Sequence, residues 1–198
     1  MWLENFKPKQ AAAHDGQSQA AINNIANGVQ WLIVPRHPQR FDEVQQLLQR
    51  AGLTVSRRSH WAAEPEAADV WLGDSLGEMA LYYGLADVAL LGGSFEPLGG
   101  QNLIEAAACG CPVVMGPHTF NFLEAAEQAL AAGAAQRAAN LSQAVAMATA
   151  LTFDHGSLQI ARQAAKNFAQ LHQGSTVRLA SELVQFLADF SKARPVWS

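Results

Sequence analysis

Charge is scarce in this chain. Of its 198 residues only 13 are Lys or Arg and 17 are Asp or Glu, so 15% are charged against 49% hydrophobic, and the net charge is −4. So much apolar sequence excludes a disordered polyelectrolyte, which cannot bury enough surface to fold. Arg57-Arg58 is the one adjacent basic pair. Without a Lys/Arg cluster, the chain lacks the footprint of a nucleic-acid binder, and the pair reads as part of a solvated face. Cysteine is nearly absent too. Cys109 and Cys111 stand alone, separated by Gly110; a disulfide at that spacing would be strained, and two thiols fall short of a zinc set. They read as small core residues in a reducing compartment. No apolar run approaches the ~20 residues that span a bilayer. The N-terminal Met1–Gln10 has acidic and amide residues where a signal peptide needs an apolar segment, so a cytoplasmic location is expected. Standard catalytic motifs are missing as well: no Gly-x-x-x-x-Gly-Lys-Ser/Thr loop, no Gly-x-Gly-x-x-Gly after the first strand, no Gly-x-Ser-x-Gly elbow. No His, Cys and carboxylate set has metal-ligand spacing, and neither a metal nor a cofactor is expected.

What is present is an alternation of strand and helix. The spacing predicts strands over Val29–Val34, Leu53–Val55, Asp69–Gly73, Asp87–Leu91 and Pro112–Met115, with a weak edge strand over Ala134–Ala138. Between them, Phe41, Val44, Leu47, Leu48 and Ala51 mark one face of a helix ending at Gly52. Ser75 and Glu78 read as a capping box for a helix over Leu76–Tyr83. Asn102–Cys109 and Phe120–Ala132 give two further helices. From Leu141 the pattern is helical: Leu141–Leu151, His155–His172 and Thr176–Phe190. The first part is hard to read, with a helix expected over Gly16–Ala26. Strands separated by helices imply an α/β fold with a Rossmann-like, doubly wound parallel sheet and C-terminal helices. The whole chain, residues 1–198, is expected to be one such domain, with residues 1–13 a lead-in and 174–198 a terminal helix and tail.

Four turns leave the carboxyl ends of these strands, the edge where open α/β sheets bind ligands. The most informative is Gly92-Gly93-Ser94…Gly99-Gly100-Gln101-Asn102…Glu105. Glycine lets backbone approach a ligand closely, and a carboxylate one helical turn later is placed to accept a hydrogen bond from a sugar hydroxyl. A tight turn that merely packs helix on sheet has the same composition. Pro35-Arg36-His37-Pro38 is held rigid by two prolines. Arg36 and His37 are there either as phosphate and ribose ligands or as a surface Arg and a turn-capping His. Gly73-Asp74-Ser75-Leu76-Gly77-Glu78-Met79 carries groups that serve either a nucleotide or a helix cap, capping being the safer reading of Ser75 and Glu78. Met115-Gly-Pro-His-Thr-Phe-Asn-Phe122 adds a Gly-Pro turn, an imidazole, a hydroxyl and an amide. The five tryptophans, Trp2, Trp31, Trp61, Trp71 and Trp197, read as packing.

In this order the four motifs resemble the C-terminal half of the 3-deoxy-D-manno-octulosonic acid (Kdo) transferase family, from about His14 to the C-terminal helices. The resemblance implies half of a GT-B glycosyltransferase, two Rossmann-like domains facing across a cleft, and it implies the half that binds the donor CMP-Kdo. The family moves Kdo to the lipid A precursor of lipopolysaccharide at the cytoplasmic face of the inner membrane. Carried over position by position, Arg36 and His37 are expected at the CMP phosphate and ribose. Gly77, Glu78 and Met79 are expected around the cytosine. Ser94, Gly99, Gly100 and Asn102 form the donor turn, with Glu105 its helix carboxylate. Gln101 stands where the family has His, Ala106 where it has Pro, and His14-Asp15-Gly16-Gln17 is an eroded His-x-Gly-Glu turn. The acceptor half, the family's source of the catalytic base, has no match in these residues, so the chain alone is expected to bind CMP or CMP-Kdo and transfer nothing. The alternatives are a degenerate, non-catalytic relative with a regulatory or protein-interaction role, and another GT-B activity such as a nucleotide-sugar epimerase. The lipid A precursor is expected as a partner only with an acceptor domain, and the apolar face of Thr176–Phe190 makes self-association a further expectation.

Overall fold

A computed structural model describes residues 28–62, 64–172 and 184–185. The expected helices over Gly16–Ala26 and Thr176–Phe190, the His14–Gln17 turn, Trp2 and Trp197 lie outside them, apart from Val184 and Gln185 of the terminal segment.

Among the described residues, six short strands form two three-stranded sheets, every pairing parallel. In the first, β3 (Val70–Leu72) lies between β1 (Trp31–Ile33) and β2 (Val55–Arg57); in the second, β5 (Val113–Met115) lies between β4 (Ala89–Leu91) and β6 (Ala135–Arg137). Trp31 pairs with Val70 and Val55 with the same residue from the other side, so the two outer strands end level with Leu72 of β3. Ala89 and Ala135 flank Val113 in the same way. Helices fill the connections: α1 (Phe41–Arg50), α2 (Met79–Leu85), α3 (Ile104–Ala108), α4 (Leu123–Ala131), α5 (Leu141–Phe153) and α6 (His155–His172). This is the expected α/β architecture, parallel sheets with flanking helices. The alanine-rich Ala134–Ala138 does make the edge strand β6.

The core sits around β5, which is buried along its whole length. Val113 and Met115 point into a cluster with Leu91, Leu103, Ala106, Ala107, Ala126 and Ala129, closed by Ala165, Phe168 and Ala169 of α6. Val114 points the other way, onto Ala138, Ala144 and Ala148 of the α5 side. Helices on both faces explain why Pro112–Met115 reads as a continuous apolar run rather than an alternating one. The many alanines let helix and sheet backbones approach closely. Cys111 lies inside this core and Cys109 is half-buried, both as free thiols.

One helix boundary falls as expected and another shifts by a few residues, each for a local reason. Gly52 terminates α1 as expected, in the left-handed region at φ 81°. The helix expected to start at Leu76 starts instead at Met79. Gly77 has φ 77°, which no right-handed helix admits, so the Ser75–Glu78 capping box does not form. The Ser75 hydroxyl turns to the Glu78 carboxylate and the Tyr82 hydroxyl instead.

Candidate functional site

The segments that follow β4 and β5 interlock at the carboxyl edge of the second sheet. After β4 the chain makes a 3-10 turn over Gly92–Ser94. Ser94 is completely buried. Its hydroxyl donates to the Leu91 carbonyl (2.5 Å) and accepts the Gly116 N–H (2.7 Å), while its carbonyl accepts the His118 N–H (3.0 Å). The predicted donor residue Ser94 therefore has its hydroxyl enclosed by protein, and what it does is tie the β4 turn to the β5 loop. Gly116 must be glycine there: a Cβ would stand 2.7 Å from the Ser94 carbonyl carbon and nearer still to its oxygen.

The Gly99-Gly100 pair is held against the same loop. The Gly100 N–H donates to the Gly93 carbonyl (3.2 Å), closing the turn on itself. The Gly99 carbonyl accepts the Asn121 N–H (3.1 Å), and the Asn121 amide donates to the Leu98 carbonyl (3.2 Å). Gly99 and Gly100 have φ of 86° and 81°, and a Cβ on Gly99 would run into the Asn121 side chain and, at 2.7 Å, into Phe120. Backbone conformation thus favours glycine at both positions, and close approach demands it at Gly99 as well. Beyond it, the side-chain oxygen Oδ1 of Asn102 accepts the Ile104 N–H (3.1 Å) and the Asn102 side-chain amide donates to Glu105 Oε1 (3.0 Å). Asn102 so caps the start of α3 and fixes the Glu105 carboxylate, which stays exposed. With only five residues, α3 contributes little macrodipole to any anion at this turn.

Sequence reasoning missed Arg137, the last residue of β6. Its Nη1 donates to the Gly116 carbonyl (3.1 Å), the Thr119 hydroxyl (3.2 Å) and the Pro117 carbonyl (3.5 Å), and its Nη2 to Glu127 of α4 (2.7 Å). The available signal was isolation: Arg137 is the only charged residue between Glu127 and Asp154.

The first sheet builds its carboxyl edge differently, from charge. Asp74, directly after Gly73, is buried and accepts from Arg57 Nε (2.6 Å), the Ser59 N–H (2.8 Å) and the Ser59 hydroxyl (2.6 Å). Burial alone would raise the Asp74 carboxyl; the Ser59 donors and the Arg57 guanidinium outweigh it and hold the group below the usual carboxylate range. Arg57 also donates to Asp42 (2.7 Å) and Gln45 (3.0 Å) of α1. Arg58 pairs with Glu78 (2.8 Å) and lies 5.6 Å from the centre of the Trp61 ring. Arg57-Arg58 is therefore no solvated face. Both side chains are largely covered, at 19% and 29% exposure, and they pin the ends of β2 and β3 together. Trp61 and Trp71 pack edge to face on each other at 5.5 Å, as packing residues.

Of the other predicted residues, Glu78 is the N-cap of α2, and its carboxylate is drawn below the usual range by the Ser75 hydroxyl first and then by Arg58. Met79 begins the helix, and Gly77 stands before it with open space around it. Arg36 and His37 are exposed just beyond β1. His37 precedes the 3-10 turn Pro38–Arg40 and closes it with its backbone carbonyl (3.0 Å to the Arg40 N–H), while its side chain makes no capping bond. The imidazole is not used as a cap, while Arg36 lies at the surface as either reading of that motif has it. A shallow cavity of about 370 Å³ opens beside α4, lined by Asn121, Phe122, Leu123, Glu124, Gln128 and His172. Asn121 and Phe122 come from the Met115–Phe122 motif, but none of the residues expected at the donor lines it. The interlocked turns carry the argument instead, because a ligand met by backbone on an open edge needs no enclosed cavity. Among the described residues no three His, Cys, Asp or Glu gather into a potential metal group, and no helix is long and apolar enough to cross a membrane.

No protein-family model matches the chain. It is 52% identical over 157 residues to a 3-deoxy-D-manno-octulosonic acid transferase of Bordetella pertussis, covering 79% of this chain and 37% of that protein. It is 40% identical over 120 residues to the Haemophilus influenzae enzyme of the same name, covering 58% and 28%. The chain thus spans 37% and 28% of the length of these curated relatives. Among solved structures it is similar to the C-terminal CMP-Kdo binding domain of WaaA from Acinetobacter baumannii, with 33% identity and a TM-score of 0.68 over 77% of this chain and 80% of that one.

Proposed function

The chain belongs to the Kdo transferase family, and on that premise we propose that it is the donor half of such an enzyme, binding CMP-Kdo across the carboxyl edges of its two sheets. The observation that carries this reading is the interlocked glycine turn, Ser94 and Gly99-Gly100 fixed by backbone contacts to 116–121, leading directly into Asn102 and Glu105. In this assignment the turn backbone and Arg36 take the phosphate, His37 the ribose and Glu105 a sugar hydroxyl. Gly77, Glu78 and Met79 border the cytosine. Ser94 serves from beneath, holding the turn rather than touching the donor. The likeness to a CMP-Kdo binding domain supports the choice of nucleotide.

Chemically, this half holds the leaving group. As the bond from the sugar to the phosphate breaks, negative charge grows on the phosphate oxygen, and a guanidinium and fixed N–H dipoles at that point stabilise it. The acceptor hydroxyl also needs a general base, and no residue here is assigned that role. Transfer of Kdo to the lipid A precursor at the cytoplasmic face of the inner membrane is accordingly proposed only for this half joined to an acceptor domain. Calorimetry of the 198-residue chain with CMP and with UDP tests the reading. Binding of CMP well above UDP is expected, weakened about tenfold by Arg36→Ala, which removes one charge-assisted contact. Equal binding of the two nucleotides, or none, overturns it and favours an epimerase-like or non-catalytic relative.

A further inference from the structure

We propose that Arg137 is a positioning residue for the donor site, clamping the 116–119 loop so that the loop can hold the glycine turn in its binding conformation. The proposal rests on the donor-binding reading above. Arg137 ends the edge strand β6, beside Met115 of β5, and its guanidinium bonds to the loop after β5 and to α4. One nitrogen, Nη1, reaches two peptide carbonyls, of Gly116 and Pro117, and the buried hydroxyl of Thr119; the other, Nη2, is directed by Glu127. A planar guanidinium suits this task, because its fixed fork serves several acceptors at once, which an ammonium on a flexible stem does not.

The loop so held is the one on which the glycine turn depends. Gly116 donates to Ser94 Oγ at 2.7 Å and His118 to the Ser94 carbonyl at 3.0 Å. The Gly100 α-carbon faces the His118 carbonyl and Thr119, and a Cβ there would be in van der Waals contact with them, at 3.4 Å and 3.5 Å. A loosened 116–119 segment therefore removes the floor beneath Gly99-Gly100, although Arg137 itself touches neither glycine. Asn102 and Glu105 follow the turn and move with it.

The test compares the full chain with Arg137→Ala, Arg137→Lys and Glu127→Gln by hydrogen exchange and by titration with CMP and with cytidine, which lacks the phosphate. For Arg137→Ala, exchange at the Gly100, Gly116 and His118 amides is expected to rise about tenfold or more while amides of β1 and β3 stay unchanged. CMP affinity is expected to fall about tenfold with cytidine affinity unaltered, so that the advantage of CMP over cytidine shrinks. Lys at 137 should restore only part of it, and Glu127→Gln, which leaves the Nη1 contacts in place, should cost less than either. Faster exchange spread evenly over the chain, or an unchanged CMP-to-cytidine ratio despite a loosened loop, overturns the positioning role. If the parent chain binds no CMP, the donor reading falls and this role with it. If the parent binds CMP and Arg137→Ala binds it equally well, only the role of Arg137 falls.

Discussion

Replacing Gly116 with alanine is expected to be among the most damaging single-methyl additions in this protein. The position has no unusual backbone angle, so the effect is one of space alone. The added Cβ would lie 2.7 Å from the Ser94 carbonyl carbon and 2.8 Å from Phe95 Cδ1, with the Ser94 carbonyl oxygen closer than both. Two of these atoms are backbone and cannot swing aside as a flexible side chain would, so the β4 turn and the β5 loop must separate. Forcing a methyl into a filled site costs about 1–3 kcal/mol. Separation also stretches the bonds from Gly116 to Ser94 Oγ and from His118 to the Ser94 carbonyl, worth about 1 kcal/mol each. A loss of about 3–5 kcal/mol is therefore expected, a large part of the roughly 5–15 kcal/mol by which a domain is stable. The internal control is Gly77→Ala. There φ is 77° and nothing lies within 4 Å of a new Cβ, so only the left-handed conformation is penalised, at about 1–2 kcal/mol. Urea titration of both variants, followed by circular dichroism, gives the comparison directly. Should Gly116→Ala lose no more stability than Gly77→Ala, the close contact of the two loops is wrong and the argument for an interlocked site goes with it.

Acid should destabilise the first sheet. Asp74 has its carboxyl held below the ordinary value near 4, so its stabilising contribution is complete above that value and is lost as pH falls through the lower, folded-state one. Asp69, lowered by its bonds from the Thr54 hydroxyl and amide, adds in the same direction. The urea midpoint should therefore drop below about pH 4, and Asp74→Asn should cost roughly 1–3 kcal/mol at pH 6 and flatten the drop; an unflattened profile would refute the role given to Asp74. The Cys111 thiol is pushed up to about 12, mainly by burial and despite the nearby Arg162 guanidinium. In native protein it should resist a thiol reagent at neutral pH and react only on unfolding, and rapid labelling at Cys111, located by peptide mapping, would contradict that burial.

Elements were legible in the sequence wherever periodicity and punctuation agreed. Phe41 to Ala51 with Gly52 after it gave a helix and its end within a residue, since Gly52 has the positive φ that a helix C-terminus favours. The start of α2 was not legible, because Ser75 and Glu78 at capping-box spacing look the same whether or not Gly77 between them turns left-handed. Turn composition marked the glycine pair but not the division of labour around it. That Ser94 faces inward is a matter of packing between two loops 22 residues apart, and no local pattern encodes it. Arg57 and Arg58 read as surface for a similar reason: their partners Asp74, Asp42 and Glu78 come from other elements, and only the parallel register of β2 and β3 brings them into reach.

The scarcity of charge acquires a meaning once the pairs are placed. Arg57 with Asp74, Arg58 with Glu78 and Arg137 with Glu127 all stand where strands end and loops begin. Each holds a loop that short backbone hydrogen-bonding patterns alone would leave free. The two sheets nevertheless rely on different forces. In the first, a buried carboxylate gathers Ser59 and Arg57, so its edge responds to protons. In the second, glycines and alanines let backbones interpenetrate, so its edge responds to added methyl groups. A ligand bridging both edges would be held on one side by an electrostatic frame and on the other by a steric one. Arg36 is exposed beyond β1. In the proposed complex its charge meets the phosphate, so donor affinity should follow ionic strength through Arg36 more than through the Arg57–Asp74 pair, whose buried carboxylate salt screens far less.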